Sequence, residues 1–110
     1  MQKSVERLKA LGQMPDARRD DPTEETLERY DQLLSEVETP LSYEEAEALV
    51  GVFPEGGTYG LEWTLLRLVE SYVDLPGYRR MIAGCPSEEW RGILTARLDN
   101  YEKKHEIGGK

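Results

Sequence analysis

Apolar residues recur at helical spacing along most of this chain. Between residues 27 and 37, five apolar positions fall within roughly a third of a helix circumference at ~100° per residue. From Leu61 to Val73 they cover close to half of the circumference, which predicts a central helix packed on by several neighbours. No segment alternates polar and apolar residues in the manner of a strand. The pattern therefore predicts an all-α fold.

Proline, glycine and capping residues divide the chain into five or six short helices, arranged as an irregular bundle or as stacked helical hairpins. Ser42 and Glu45 have the spacing of a capping box at the start of one helix. Residues 13–22 contain two prolines among clustered charges, which predicts an exposed loop. The final helix is expected to end near His105 and to leave residues 106–110 as a loose tail. At this length, residues 1–110 form a single domain.

Charge excludes several classes of partner. The chain has 22 acidic and 14 basic residues, for a formal net charge of −8. Nucleic acids and anionic membrane surfaces would repel such a protein. No apolar run reaches the ~18–20 residues of a membrane span, the N-terminus lacks the apolar region of a signal peptide, and the single cysteine fits a reducing compartment. We therefore expect a cytoplasmic protein that binds neither nucleic acid nor membrane.

The negative charge is concentrated in one part of the sequence. Residues 16–55 hold thirteen acids and three arginines, a net charge of −10, and the remaining residues carry a net charge of +2. Solvated helix faces and the need for solubility explain acidity in general. A one-sided acidic surface also attracts a basic partner and accelerates its capture. Both interpretations are compatible with the sequence.

Catalytic chemistry has little support in the sequence. His105 is the only histidine, and it lies near the end of the last helix. No carboxylate pair has a histidine or further acids nearby to complete a metal shell, so we expect no catalytic residue, metal or cofactor. Glu62 is the one unusual acid, because it falls inside an apolar arc. One alternative places it in the first turn of its own helix, where the helix dipole favours negative charge and solvent still reaches it. The other is an ion pair with an arginine, the candidates being Arg79, Arg80 and Arg97.

One stretch resembles a known group of proteins. Phe53-Pro54 followed by Tyr59-Gly-Leu-Glu-Trp-Thr-Leu-Leu66 is similar to the middle of small helical bacterial proteins, some of which are immunity proteins of polymorphic toxin systems. This resemblance implies a shared helical fold and a protein that binds and blocks a toxin domain, often a basic nuclease. It implies no catalytic residues.

The sequence thus predicts a non-enzymatic binding domain, with an immunity protein that neutralises a cognate basic toxin as the leading hypothesis. A helical adaptor that binds peptides is one alternative, and a small enzyme using Glu62 is the other. Trp63 lies at the edge of its apolar stripe, which favours coverage by another helix over exposure to a partner. The candidate binding residues are five acids (Glu24, Glu28, Asp31, Glu44, Glu47) and four aromatic anchors (Tyr30, Tyr43, Tyr59, Trp63).

Overall fold

The computed structural model describes residues 1–108, with side chains through residue 104, and this part of the chain contains six α-helices and no strand. The prediction of an all-α fold is confirmed. The helices are α1 (Lys3–Leu11), α2 (Glu24–Glu36), α3 (Tyr43–Val50), α4 (Leu61–Glu70), α5 (Tyr78–Ile82) and α6 (Glu88–Gly108).

Helix α3 occupies the centre of the packing. It contacts α1, α4 and α5, whereas α4 contacts α2 and α3. The expectation that several helices pack on α4 is therefore confirmed, since α6 also reaches it through Trp90 and Trp63, and α3 shares its central position. Leu65, Leu66 and Val69 on the inner face of α4 are buried. Side chains of α6 reach the rest of α4 from the other side, as in the bidentate ion pair of Arg97 with Glu70, with N···O distances of 2.7 and 2.8 Å.

Local sequence signals explain how α3 begins and how α1 attaches to it. The Ser42 hydroxyl accepts a hydrogen bond from the Glu45 backbone N–H, and the Glu45 carboxylate accepts one from the Ser42 N–H, which confirms the predicted capping box. The second oxygen of Glu45 accepts from the Gln2 N–H at 2.7 Å. These backbone hydrogen bonds lower the pKa of Glu45. With Val5 and Leu8 fully buried, α1 is docked firmly onto the core.

The segment predicted as an exposed loop is buried at Met14 and only partly exposed at residues 15–17. Met14 is 2% exposed and belongs to the core. Its backbone N–H donates to the Val52 carbonyl, and the Ala17 N–H donates to the Gly57 carbonyl, both at 2.8 Å. Residues 18–21 are exposed as expected. Prolines and clustered charges predict a loop, but they do not show that the first half of the segment forms backbone hydrogen bonds with a distant segment.

The C-terminal end differs from the expected tail. Helix α6 runs to Gly108, so residues 106–108 are helical, while Gly109 and Lys110 lie outside the described residues. Arg79 on α5 forms ion pairs with Asp99 and Glu102 of α6, and Tyr101 hydrogen-bonds Asp74. These polar contacts join the second half of α6 to α5 and to the segment that follows α4.

Candidate protein-binding site

The five predicted acidic residues are all exposed. Helix α1 packs against both α2 and α3, and within residues 1–108 these two helices do not contact each other. Glu44 and Glu47 of α3 line a shallow pocket together with Lys9 of α1. The acids of α2 and those of α3 thus lie on two helices that both pack against α1, which carries basic side chains such as Lys9.

Tyr30 is not available to a partner, although we predicted it as an aromatic anchor. It is only 4% exposed, and its hydroxyl lies 3.1–3.3 Å from the carbonyl oxygens of Leu11, Gly12 and Gln13. Burial raises the pKa of this phenol, which keeps it a neutral donor. Tyr30 satisfies carbonyl groups at the end of α1, and its role is structural.

Tyr43 has an intermediate position. Its ring meets Tyr72 edge-on, with centroids 6.1 Å apart and an interplanar angle of 71°. The ring also covers Gly77, where a Cβ atom would come within 3.0 Å of it. Gly77 adopts a φ of +87° just before α5, so the close approach and the backbone conformation both require glycine there. Tyr43 therefore shields this turn and presents only its outer edge to solvent.

Tyr59 and Trp63 are the two predicted anchors that the fold leaves available. Tyr59 is 72% exposed and Trp63 is 52% exposed, so the expectation that a helix covers Trp63 is wrong. The Trp63 indole meets the Trp90 ring edge-on at 5.3 Å, and Trp90 stacks on the buried Phe53 at 5.2 Å. Trp63 is thus the outermost of three aromatic rings that extend from the core to the surface.

An open pocket of about 590 Å³ lies beside these rings. It is built from four separate parts of the chain: the loop at residues 16–18, the turn at residues 55–59, the first turn of α4 and the start of α6. Three exposed or partly exposed acids contribute to its lining, and no pattern in the sequence predicts that they meet, because they are far apart along the chain. These acids are Asp16, Glu55 and Glu89.

Glu62 lies under this pocket and organises the turn before α4. It is 4% exposed, and its two carboxylate oxygens accept hydrogen bonds of 2.6 Å from the backbone N–H groups of Thr58 and Gly60. The predicted interaction with the start of its own helix is therefore present, but without the expected access to solvent. The alternative ion pair is wrong for Arg79 and Arg97, whose carboxylate partners lie on α4 and α6.

The glycines around this turn serve two different purposes. Gly60 adopts a φ of +91°, whereas Gly56 and Gly57 do not have positive φ angles. A Cβ atom on Gly57 would lie 3.2 Å from the Glu62 carboxylate, and one on Gly56 would lie equally close to the Asp16 carboxylate. These two glycines therefore give room for acidic groups to approach the backbone.

Tyr59 itself adopts a left-handed backbone conformation, with a φ of 49°. Hydrogen bonds from the residues on either side of it to Glu62 hold this conformation. Such a backbone costs a non-glycine residue roughly 1–2 kcal/mol. The turn therefore holds a large, exposed aromatic side chain in an unfavourable conformation, a combination that is found more often at functional sites than elsewhere.

Replacing Tyr59 with glycine should give a more stable protein than replacing it with alanine, by about 1 kcal/mol, because only glycine adopts this φ without strain. Both variants remove the exposed ring, so the difference between their free energies of unfolding reports the backbone strain alone. Urea unfolding measures this difference. Ala10, exposed within α1, is the control, since Ala10→Gly should lower stability by about 1 kcal/mol. A Tyr59→Ala variant as stable as Tyr59→Gly would contradict the strained conformation.

Other reactive groups do not contribute to this site. Cys85 is buried, and burial raises the pKa of its thiol, which disfavours the reactive thiolate. The side chain of His105 lies outside the described residues. Among the described residues, no group of three or more His, Cys, Asp or Glu side chains is placed to hold a metal ion. No described helix combines the length and apolar character that crossing a membrane requires.

Comparison with known proteins gives no further assignment: no protein-family model, curated protein or solved structure matches this chain.

Proposed function

We propose that this protein is a cytoplasmic, non-enzymatic binding domain that acts as an immunity protein and neutralises a toxin with a basic surface. The observation that carries the proposal is the exposure of Tyr59 and Trp63 at one pocket whose lining includes carboxylates. Exposed aromatic side chains at a preformed pocket are typical of the residues that dominate protein–protein binding energy.

The rigidity of this surface supports a binding role. Trp90 stacks on Phe53 and donates from Nε1 to the Gly56 carbonyl at 2.8 Å, so the rings behind Trp63 are fixed before a partner arrives. A preformed surface loses less conformational entropy on binding than a mobile one. The net charge of −8 adds long-range attraction for a basic partner.

The alternative of an enzyme using Glu62 has less support. A general acid or base needs a carboxylate that can reach a substrate, but both oxygens of Glu62 accept hydrogen bonds from the backbone of the 58–60 turn. Its side chain is also buried. These contacts suit a residue that fixes the turn.

The proposal is tested by recovering the partner from the native host with the tagged protein as bait. We expect one stoichiometric protein with a net positive charge. Expression of that protein alone should arrest the growth of bacterial cells, and co-expression with the present chain should restore growth. The matched bait is the Trp63→Ala variant, which should recover much less of it. Recovery of a partner whose expression is harmless would favour the adaptor alternative and contradict neutralisation.

Reversing the charge of four exposed acids, Glu24, Glu28, Glu44 and Glu47, should slow association with the recovered partner by about tenfold or more, because long-range attraction is lost. The side chains are exposed, so the fold should change in stability by no more than ~0.5 kcal/mol per position. Stopped-flow mixing at two ionic strengths measures the effect. The wild-type rate should fall steeply with salt, and the variant rate should not.

The matched control replaces the same four residues with glutamine, which removes half as much charge and should give an intermediate rate. A wild-type rate that does not depend on salt, together with an unchanged rate in the reversed variant, would remove electrostatic attraction from the proposal.

A further inference from the structure

We propose that the pocket beside Trp63 binds one positively charged side chain, an arginine or a lysine, of the partner. The inference rests on the proposed function in one respect only, namely that the cation belongs to a protein. The affinity of the pocket for a cation follows from its own chemistry, namely its aromatic rings, its charges and its hydrogen bonds.

Aromatic side chains form one wall of the pocket. Tyr59 and Trp63 line the pocket as exposed rings, with the nearly buried Trp90 packed against Trp63. The volume of about 590 Å³ is ample for a guanidinium or ammonium group with part of its aliphatic stem. Cations are attracted to the electron-rich faces of aromatic rings, most strongly to tryptophan. The aliphatic part of an arginine or lysine side chain also packs well on such rings.

Carboxylates predominate among the charged side chains of the pocket lining. Asp16, Glu55 and Glu89 line the pocket, and Arg18 is the single basic residue in the lining. Among side chains 1–104, none of these three acids forms an ion pair with Arg18 or with any other base. The lining thus has an excess of negative charge that the protein itself does not neutralise, and a cation from outside would complement it.

Hydrogen bonding within the protein distinguishes Glu55 and Glu89 from Glu62, and also from Asp16, whose carboxylate accepts a hydrogen bond of 3.0 Å from the Arg18 backbone N–H. The carboxylate of Glu62 also belongs to the lining, but it accepts two short hydrogen bonds from backbone N–H groups. The Glu89 carboxylate has no such bond among the described residues, and Glu55 accepts only a long one, 3.4 Å, from the Gln13 side chain. Glu55 and Glu89 are therefore the carboxylates with the most capacity to accept hydrogen bonds from an incoming guanidinium group.

The two tryptophans of the chain, Trp63 and Trp90, both line the pocket and provide a direct reporter. The experiment titrates the ¹⁵N-labelled protein with Nα-acetyl-arginine methylamide and follows the two indole N–H signals by NMR. The control ligand is the citrulline analogue, which has nearly the same shape but a neutral urea group. We expect saturable shifts of both signals with the arginine compound and with the equivalent lysine compound, and at least fivefold weaker binding of the citrulline compound.

The double variant Glu55→Gln, Glu89→Gln should bind the arginine compound about three- to tenfold more weakly, because two nearby charges are lost. The double variant Glu25→Gln, Glu38→Gln is the matched control, since it removes the same charge from exposed positions outside the pocket lining. It should bind as the wild type does. Circular dichroism confirms that each variant is folded.

Three results would overturn the inference: no saturable shift with the arginine compound, equal binding of the citrulline compound, or equal weakening in the two double variants. The second of these would indicate a pocket for neutral apolar groups. None of the measurements requires the partner protein. The pocket inference can therefore fail while toxin neutralisation holds, and a pocket that binds cations would remain if no toxin partner were found.

Discussion

Replacing Glu62 with glutamine should lower the free energy of unfolding by about 2–4 kcal/mol. The buried carboxylate accepts hydrogen bonds from two backbone N–H groups of the 58–60 turn, and hydrogen bonds to a charged acceptor contribute about 1.5–3 kcal/mol each. Glutamine has one oxygen, so one N–H would lose its acceptor and face the amide N–H₂ group instead. Denaturation in urea, followed by circular dichroism, measures the loss.

The control for this variant is Glu47→Gln, which makes the same chemical change at an exposed position of α3. It should alter stability by less than ~0.5 kcal/mol. A loss below ~1 kcal/mol at Glu62 would mean that solvent reaches the carboxylate and that the turn does not depend on it.

Replacing Phe53 with alanine should lower the free energy of unfolding by about 3–5 kcal/mol, the usual range for removing a buried phenylalanine ring. Phe53 is fully buried and supports Trp90 from below. A loss of this size is a large share of the stability of a small domain. The remaining folded molecules should also show altered tryptophan fluorescence, because Trp90 loses its stacking partner.

Phe53→Leu is the appropriate comparison, because it keeps most of the buried volume and should cost much less than alanine. Equal losses for leucine and alanine would indicate that the aromatic stack, rather than the filled volume, stabilises this part of the core.

Local signals in the sequence were sufficient to predict most of the helices. The capping box at Ser42 and Glu45 involves residues three positions apart, and helical periodicity needs only a few turns, so both are visible in one short stretch. Glu62 was correctly singled out by its place in an apolar arc. Its partners could not be predicted, because they are backbone N–H groups, which every residue except proline has.

The exposure of the predicted aromatic anchors follows from the sequence pattern only in part. Tyr30 lies within an apolar stripe, and the structure buries it, so the pattern itself argued against its use as an anchor. Trp63 lies at the edge of a stripe, where periodicity alone does not decide between coverage and exposure. The outcome depends on where α6 crosses, and that position is determined by contacts between residues more than twenty positions apart, such as Trp63 with Trp90.

Charge along the sequence was also an incomplete guide to charge on the surface. The acids of α2 and α3 are close in sequence, but the two helices pack against α1 and not against each other among the described residues. By contrast, Asp16, Glu55 and Glu89 meet at one pocket although long segments separate them. Which charges share a surface is decided by tertiary packing, which the count of acids and bases per segment does not contain.

The assembly of the pocket from four distant segments links ligand binding to the stability of the whole molecule. A cation bound there contacts residues from positions 16 to 90, so it has no binding site in a partly unfolded chain. Saturation at a hundred times the dissociation constant would therefore stabilise the native state by about 2.7 kcal/mol. Protection from hydrogen exchange should accordingly increase in helices that never touch the ligand, α1 and α3 included, wherever exchange requires global unfolding.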